Sequence, residues 1–230
     1  MKKGLFIVLD GNDGSGKATQ AAPLNDYLTR HGIIGLKVDF PAYDRNLFGT
    51  LIGECLAGQH GDFVNLDPKI ASTLYAADRF ESSRAIREAL NKGMIVIADR
   101  FASSNQIHQG GKIADPKERE AFLTWLDRME HDVFGIPRPD AIIYLKVPIE
   151  TSLVLLEEKR ALKNANLQEG KKDSVEEDRN YLERSNETAQ WLLETQNNWH
   201  LVDCMEDGAL RSREAIHDDV VAILERQWSL

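Results

Sequence analysis

Only two cysteines, Cys55 and Cys204, occur among the 230 residues, and their spacing suits no metal site. A disulfide-dense secreted scaffold is excluded, and buried thiols in a reducing compartment are expected. Positive charge is also scarce: 28 Lys and Arg stand against 37 Asp and Glu, for a net charge of −9. That argues against a mainly nucleic-acid-binding surface, so any basic residue that meets phosphate must do so locally. Long apolar runs are missing. The opening "MKKGLFIVLDGND" carries a short one that leads straight into Asp10 and Gly11, unlike a signal peptide. No segment approaches the roughly 20 apolar residues of a membrane span. A cytoplasmic protein without membrane or nucleic-acid partners is expected.

Five short, β-branched runs are present: "LFIVLD" (5–10), "LKVDF" (36–40), "MIVIAD" (94–99), "AIIYLKV" (141–147) and "HLVDC" (200–204). Longer stretches of helical character separate them. The alternation predicts an α/β fold, a parallel sheet with helices on both faces. Continuous rather than alternating apolar runs fit strands buried on both sides. Asp67 and Pro68 predict the start of a helix over 68–91 that stops at Gly93, with Ile70, Leu74 and Ala77 as its apolar stripe. A last helix is expected near 211–228, and Pro23 should bend the helix after the first strand. The charged, apolar-poor segment 157–180 reads either as a solvated helix pair or as a mobile lid. No repeat or linker divides the chain, so residues 1–230 are expected to form a single domain.

The stretch "GNDGSGKATQ" follows the first strand and fits a phosphate-cradling loop at Gly11, Gly16 and Lys17. Glycines let successive N–H groups point into one hollow, and a helix N-terminus adds favourable partial charge. Residues Gly11, Asn12, Asp13, Gly14, Ser15, Gly16, Lys17, Ala18 and Thr19 are the expected ATP-binding set, with Lys17 on the outer phosphates. Ala18 stands where a serine or threonine usually touches Mg²⁺. Thr19 is a poor substitute, because its side chain leaves the helix about 100° away. Water can fill the place, since Mg²⁺ commonly keeps several waters. Asp99, at the end of "MIVIAD", is the expected metal contact, and Arg100 beside it a phosphate clamp. A plain surface ion pair at a strand end is the alternative.

These segments resemble the thymidylate kinases of the P-loop nucleoside monophosphate kinases. The resemblance is carried by "DGSGKATQ", "FPAY" (40–43), "LYAADR" (74–79), "DRFASSNQIHQGG" (99–111), "PDAIIYLKVP" (139–148), "KKDSVEEDRNYLERS" (171–185) and "WHLVDC" (199–204). It implies a P-loop kinase fold with a five-stranded parallel sheet and a small mobile lid. It also implies Mg·ATP as donor, dTMP as acceptor and a homodimer. Asp13 is then expected near the sugar and acceptor phosphate, Tyr75 on the thymine face and Arg79 on a thymine carbonyl. Arg100 is expected on the acceptor phosphate. Phe40, with Pro41, should wall the thymine methyl, and Tyr43 lies in the same segment. Ser104, Asn105 and Gln109 fall in the base-reading stretch. His108 replaces a tyrosine that lies against the deoxyribose. With no arginine in the loop, a lid cation is required: Arg160 first, with Lys171 and Lys172 as lesser candidates. Lys17, Asp99, Arg100 and Arg160 are the expected catalytic groups.

Tyr75 and Arg79 sit i, i+4 on one predicted helix, a spacing that suits a nucleobase but equally an aromatic packed on an arginine stem. Two other functions stay open. A deoxynucleoside kinase would need a carboxylate base, for which Asp39 is conceivable. A catalytically weak nucleotide-binding regulator is favoured only by Ala18.

Overall fold

The computed structural model describes residues 4–164 and 179–228. Five parallel strands form the central sheet: β1 (Leu5–Asp10), β2 (Gly35–Asp39), β3 (Ile95–Asp99), β4 (Ala141–Lys146) and β5 (Trp199–Asp203). Their order is β2-β3-β1-β4-β5, so the strand that leads into the glycine-rich loop lies at the centre. The predicted strands appear within one residue of their expected limits.

The helices are α1 (Lys17–Arg30), α2 (Leu47–Leu56), α3 (Pro68–Asn91), α4 (Ala102–Gly110), α5 (Pro116–Asp127), α6 (Ile149–Asn164), α7 (Arg179–Thr195) and α8 (Arg213–Trp228). A π-helical turn, Arg128–Val133, extends α5. A small hairpin, β6 (Met205–Glu206) and β7 (Ala209–Leu210), follows β5 and was not foreseen. Among the described residues no helix is long and apolar enough to cross a membrane. Cys55 and Cys204 are buried free thiols, as expected.

β1 shows why continuous apolar runs make this sheet. Phe6 and Val8 enter one core with Phe101 and Ile107, while Ile7 and Leu9 enter the other with Leu24 and Val220. Both faces are covered, and each fully buried side chain contributes about 1.5–3 kcal/mol. The edge strands β2 and β5 are only partly buried, so two-sided burial holds for β1, β3 and β4 alone.

α3 begins as predicted. The Asp67 carboxylate accepts from Lys69 N at 2.9 Å, and Pro68 occupies the first helical position, where its missing N–H costs nothing. Its expected stripe is corrected at Ile70, while Leu74 packs, partly buried, against the cluster of Cys55, Phe63 and Ala71. Ile70 is 55% exposed, and the buried face carries Ser72, Ala76, Asp78, Arg79, Ser83 and Ile86. Apolar packing through Ala76 and Ile86 is joined there by polar contacts of Asp78 and Arg79 with other elements. Pro23 lies within a continuous α1.

Candidate active site

Register delivers the site. Leu9 of β1 pairs with Asp99 of β3, which brings the two strand ends Asp10–Gly11 and Asp99–Arg100 side by side. In open α/β sheets ligands bind at this carboxyl edge.

The loop turns through Gly11, Gly14 and Gly16, all at positive φ. At Gly14 a Cβ would come 2.6 Å from Ser152 O, so side chains are excluded there on both counts. The Lys17 ammonium donates to Gly11 O at 2.9 Å and Asn12 O at 2.7 Å. Burial, and then the Arg100 charge, push its pKa down to about 8 against the pull of Asp13, Asp10 and Asp99. Ser15 Oγ and Asn12 Oδ1 are buried without a partner among the described residues, an unusual cost unless a ligand meets them.

Asp10 is wholly buried and accepts from Gly11 N at 2.8 Å and from Ser104 Oγ at 2.9 Å. Arg100 has φ 65, a left-handed conformation that costs a non-glycine residue about 1–3 kcal/mol. Its guanidinium donates to Asp13, to Ser104 Oγ at 3.2 Å and to His108 Nε2 at 3.1 Å. Burial opposes the Arg100 charge, but Asp13, Asp10 and Asp99 hold its pKa above the usual range. Burial alone would raise the Asp13 carboxyl, yet Arg100 and Lys17 hold it well below the usual range. Burial first, then Arg100, pushes His108 down to about 4, so its ring is neutral at pH 7. The Asp99 carboxyl is raised by burial, and it makes no side-chain hydrogen bond or ion pair among the described residues.

A cavity of about 290 Å³ opens from this cluster. Its far end is aromatic and planar. Tyr75 packs against Phe63 with ring centres 5.9 Å apart, and Phe40 meets Phe101 at 5.4 Å. Arg79 and Asn105 line it, both tied to the buried carboxylate of Glu130. Lys112, also on the wall, donates to Val64 O at 2.6 Å. One end therefore suits a phosphate and the other a flat, hydrogen-bonding ring.

The sequence model described as "Thymidylate kinase" matches residues 9–219. The chain belongs to the thymidylate kinase family. A "Probable thymidylate kinase" of Pyrococcus abyssi is 32% identical over 231 residues, covering 98% of each chain. Another, of Thermococcus onnurineus, is 30% identical over 233 residues, covering 97% of this chain and 98% of its own. The solved thymidylate kinase of Candida albicans shares the fold, with a TM-score of 0.73 at 20% identity, over 97% of this chain and 92% of that one.

The acceptor residues expected from the resemblance to thymidylate kinases all line the one cavity: Asp13, Phe40, Tyr43, Tyr75, Arg79, Arg100, Ser104, Asn105, His108 and Gln109. Lys17, at the start of α1, and Asp99, at the end of β3, are not among the residues that line it. Ala18 and Thr19 are exposed. Arg160 falls in α6, but its side chain lies outside the described residues, as do Lys171 and Lys172. Asp39, the base a deoxynucleoside kinase would need, is absent from the cavity wall and pairs with Arg45 at 2.9 Å on the surface.

Sequence reasoning missed four contributors. Asp10 ends an apolar run just as Asp99 does, and that signal was available. Tyr181 of α7 lines the cavity and stacks with His108 at 6.3 Å. Asn186 of α7 accepts from Asn12 Nδ2 at 2.7 Å, tying the phosphate loop to the helix that follows segment 165–178. Glu130 carried no local signal.

Proposed function

We propose that the chain transfers the γ-phosphoryl group of Mg·ATP to dTMP, giving dTDP and ADP. The observation that carries this reading is the continuity of one cavity from the phosphate loop and Arg100 to Tyr75, Arg79 and Asn105. The acceptor is itself a phosphate with a second pKa near about 6, so it is mostly dianionic at pH 7 and needs no general base. The obstacle is the approach of two polyanions. Lys17 and Arg100 supply positive charge, and the loop amides and α1 N-terminus supply oriented dipoles. Asp13 holds the Arg100 fork beside the acceptor phosphate. His108 lies against the sugar, Tyr75 on the base face, Phe40 and Tyr43 along its edge, and Ser104 and Gln109 at the rim. Arg160 is our candidate for the cation that meets the transferred group.

Among the described residues no group of three or more His, Cys, Asp or Glu is placed to hold a metal. The residues nonetheless fit Mg²⁺ carried mainly by water and nucleotide oxygens, because the Asp99 carboxylate has no hydrogen-bond or ion-pair partner among the described residues. Asp99 would hold the ion, directly or through water, and a bound Mg²⁺ would supply charge neutralisation at the transferred phosphoryl group. We also expect a homodimer in the cytoplasm. Leu47, Phe80 and Val133, each more than half exposed, support a covered apolar face.

ADP release tests the reading with Mg·ATP and dTMP, dUMP, dCMP or thymidine. The reading expects dTMP to be best, dUMP weaker and thymidine inert. Phosphorylation of thymidine in place of dTMP would establish a deoxynucleoside kinase. ATP binding without ADP release on any acceptor would establish a regulator.

A further inference from the structure

We propose that Glu130 is a positioning residue that selects which hydrogen-bonding edge of the base the cavity accepts. This rests on the reading of the cavity as the dTMP site. The Glu130 carboxylate is wholly buried and, among the described residues, is the only side chain hydrogen-bonded to both Arg79 and Asn105. Oε2 accepts from Arg79 Nε at 2.8 Å, and Oε1 accepts from Arg79 Nη2 at 2.5 Å and from Asn105 Nδ2 at 3.0 Å. The π-helical turn supplies the reach. Its wider winding carries Glu130 inward at the end of α5, and such turns recur at functional sites.

The consequence follows from counting donors and acceptors. Two of the three Arg79 nitrogens are committed to Glu130, which leaves Nη1 with only a 3.5 Å contact to Phe101 O. Both amide protons of Asn105 are committed as well, one to Glu130 and one to Ser72 O at 3.2 Å. The reversed amide would set Oδ1 against two acceptors, so the carboxylate and Ser72 O together fix its orientation. A ligand therefore meets an arginine donor beside an asparagine acceptor. A pyrimidine with a C4 carbonyl and a protonated N3 complements that pair. A 4-aminopyrimidine with an unprotonated N3 presents the reverse pattern and is left with buried groups unpaired, which is heavily penalised. A carboxylate performs this role because it only accepts. An amide in its place would turn a donor toward Asn105 or Arg79.

Glu130→Gln and Glu130→Asp test this, with kcat and KM measured for dTMP and dCMP beside the wild type. The Gln variant should raise KM for dTMP by about tenfold or more with KM for ATP unchanged. The dTMP over dCMP ratio of kcat/KM should fall by about tenfold or more, because a Gln amide that turns its donor toward Asn105 opposes the present amide orientation and leaves only Ser72 O to hold it. The Asp variant keeps the charge but is one methylene short, and should lose selectivity to a lesser degree. A purely structural Glu130 would lower the melting temperature and leave the ratio untouched in the folded enzyme. If the Gln variant does not fold, the Asp variant decides by the same ratio. A wild type selective for dTMP with variant ratios within about twofold of it overturns the role of Glu130 alone. A wild type that does not phosphorylate dTMP overturns the dTMP reading first, and this inference with it.

Discussion

The Nε2 of His108 lies 3.1 Å from a guanidinium nitrogen of Arg100. Arginine only donates, so the imidazole accepts and carries its proton on Nδ1. The residue expected against the sugar is therefore also a support for the residue expected on the acceptor phosphate. His108→Tyr replaces a small ring with a larger one on the cavity wall. We expect it to sharpen the preference for dTMP over ribothymidine monophosphate, by up to about 10²-fold where crowding alone discriminates. The ratio of kcat/KM for the two substrates in wild type and variant is the measurement, and an unchanged ratio removes His108 from the sugar.

The same pair predicts a pH dependence of stability. His108 has a pKa of about 4 in the fold against 6.5 in the unfolded chain. Between these values the unfolded chain binds the proton and the fold does not. The contribution is thus complete above pH 6.5 and lost as pH falls toward 4, amounting at most to about 3–4 kcal/mol. Asp13, depressed in the fold, adds a further loss only below the ordinary carboxylate range. Denaturant midpoints between pH 7.5 and 4.5 should fall, and His108→Gln should flatten the decline. His200 and His217, also lowered by burial, keep some slope in the variant. Parallel curves for the two proteins would contradict the assignment.

Lys17, at about 8, sets an alkaline limit. In the free enzyme its loss of charge should reduce kcat/KM for ATP above pH 8. Bound phosphates favour the charged form, so kcat should stay flat to higher pH. A limb at the same pH in both profiles would show that another group titrates.

Ala18 is exposed, so Ala18→Ser adds a hydroxyl without a clash. We expect a rate change of less than about tenfold, or 1.4 kcal/mol. Asp99→Asn should cost much more and shift the Mg²⁺ dependence to higher concentration. Full rate at unchanged Mg²⁺ demand in Asp99→Asn would reject the metal contact.

The parts legible from sequence are those written as local pattern. β1 and β3 are apolar runs that stop at Asp10–Gly11 and Asp99–Arg100, and parallel pairing then brings the two ends side by side. The resemblance supplied the acceptor wall, because those residues lie in contiguous segments after β2, in α3 and after β3. Glu130 was invisible because its partner Arg79 lies 51 residues away in the chain and no local pattern marks the π-helical turn that carries it. Ile70 misled for a related reason. Periodicity assumes that apolar residues choose the buried face, whereas α3 is held also by Asp78, which accepts from Ala42 N at 2.9 Å, and by the Arg79–Glu130 pair.

The central claim is that one cavity holds the phosphate at Arg100 and the base at Arg79. Calorimetric titration of dTMP and of thymidine, without ATP, into wild type, Arg100→Ala and Arg79→Ala tests it most directly. The account predicts that Arg100→Ala weakens dTMP and leaves thymidine unchanged, while Arg79→Ala weakens both. Equal weakening of both ligands by Arg100→Ala, or none by either variant, would contradict it.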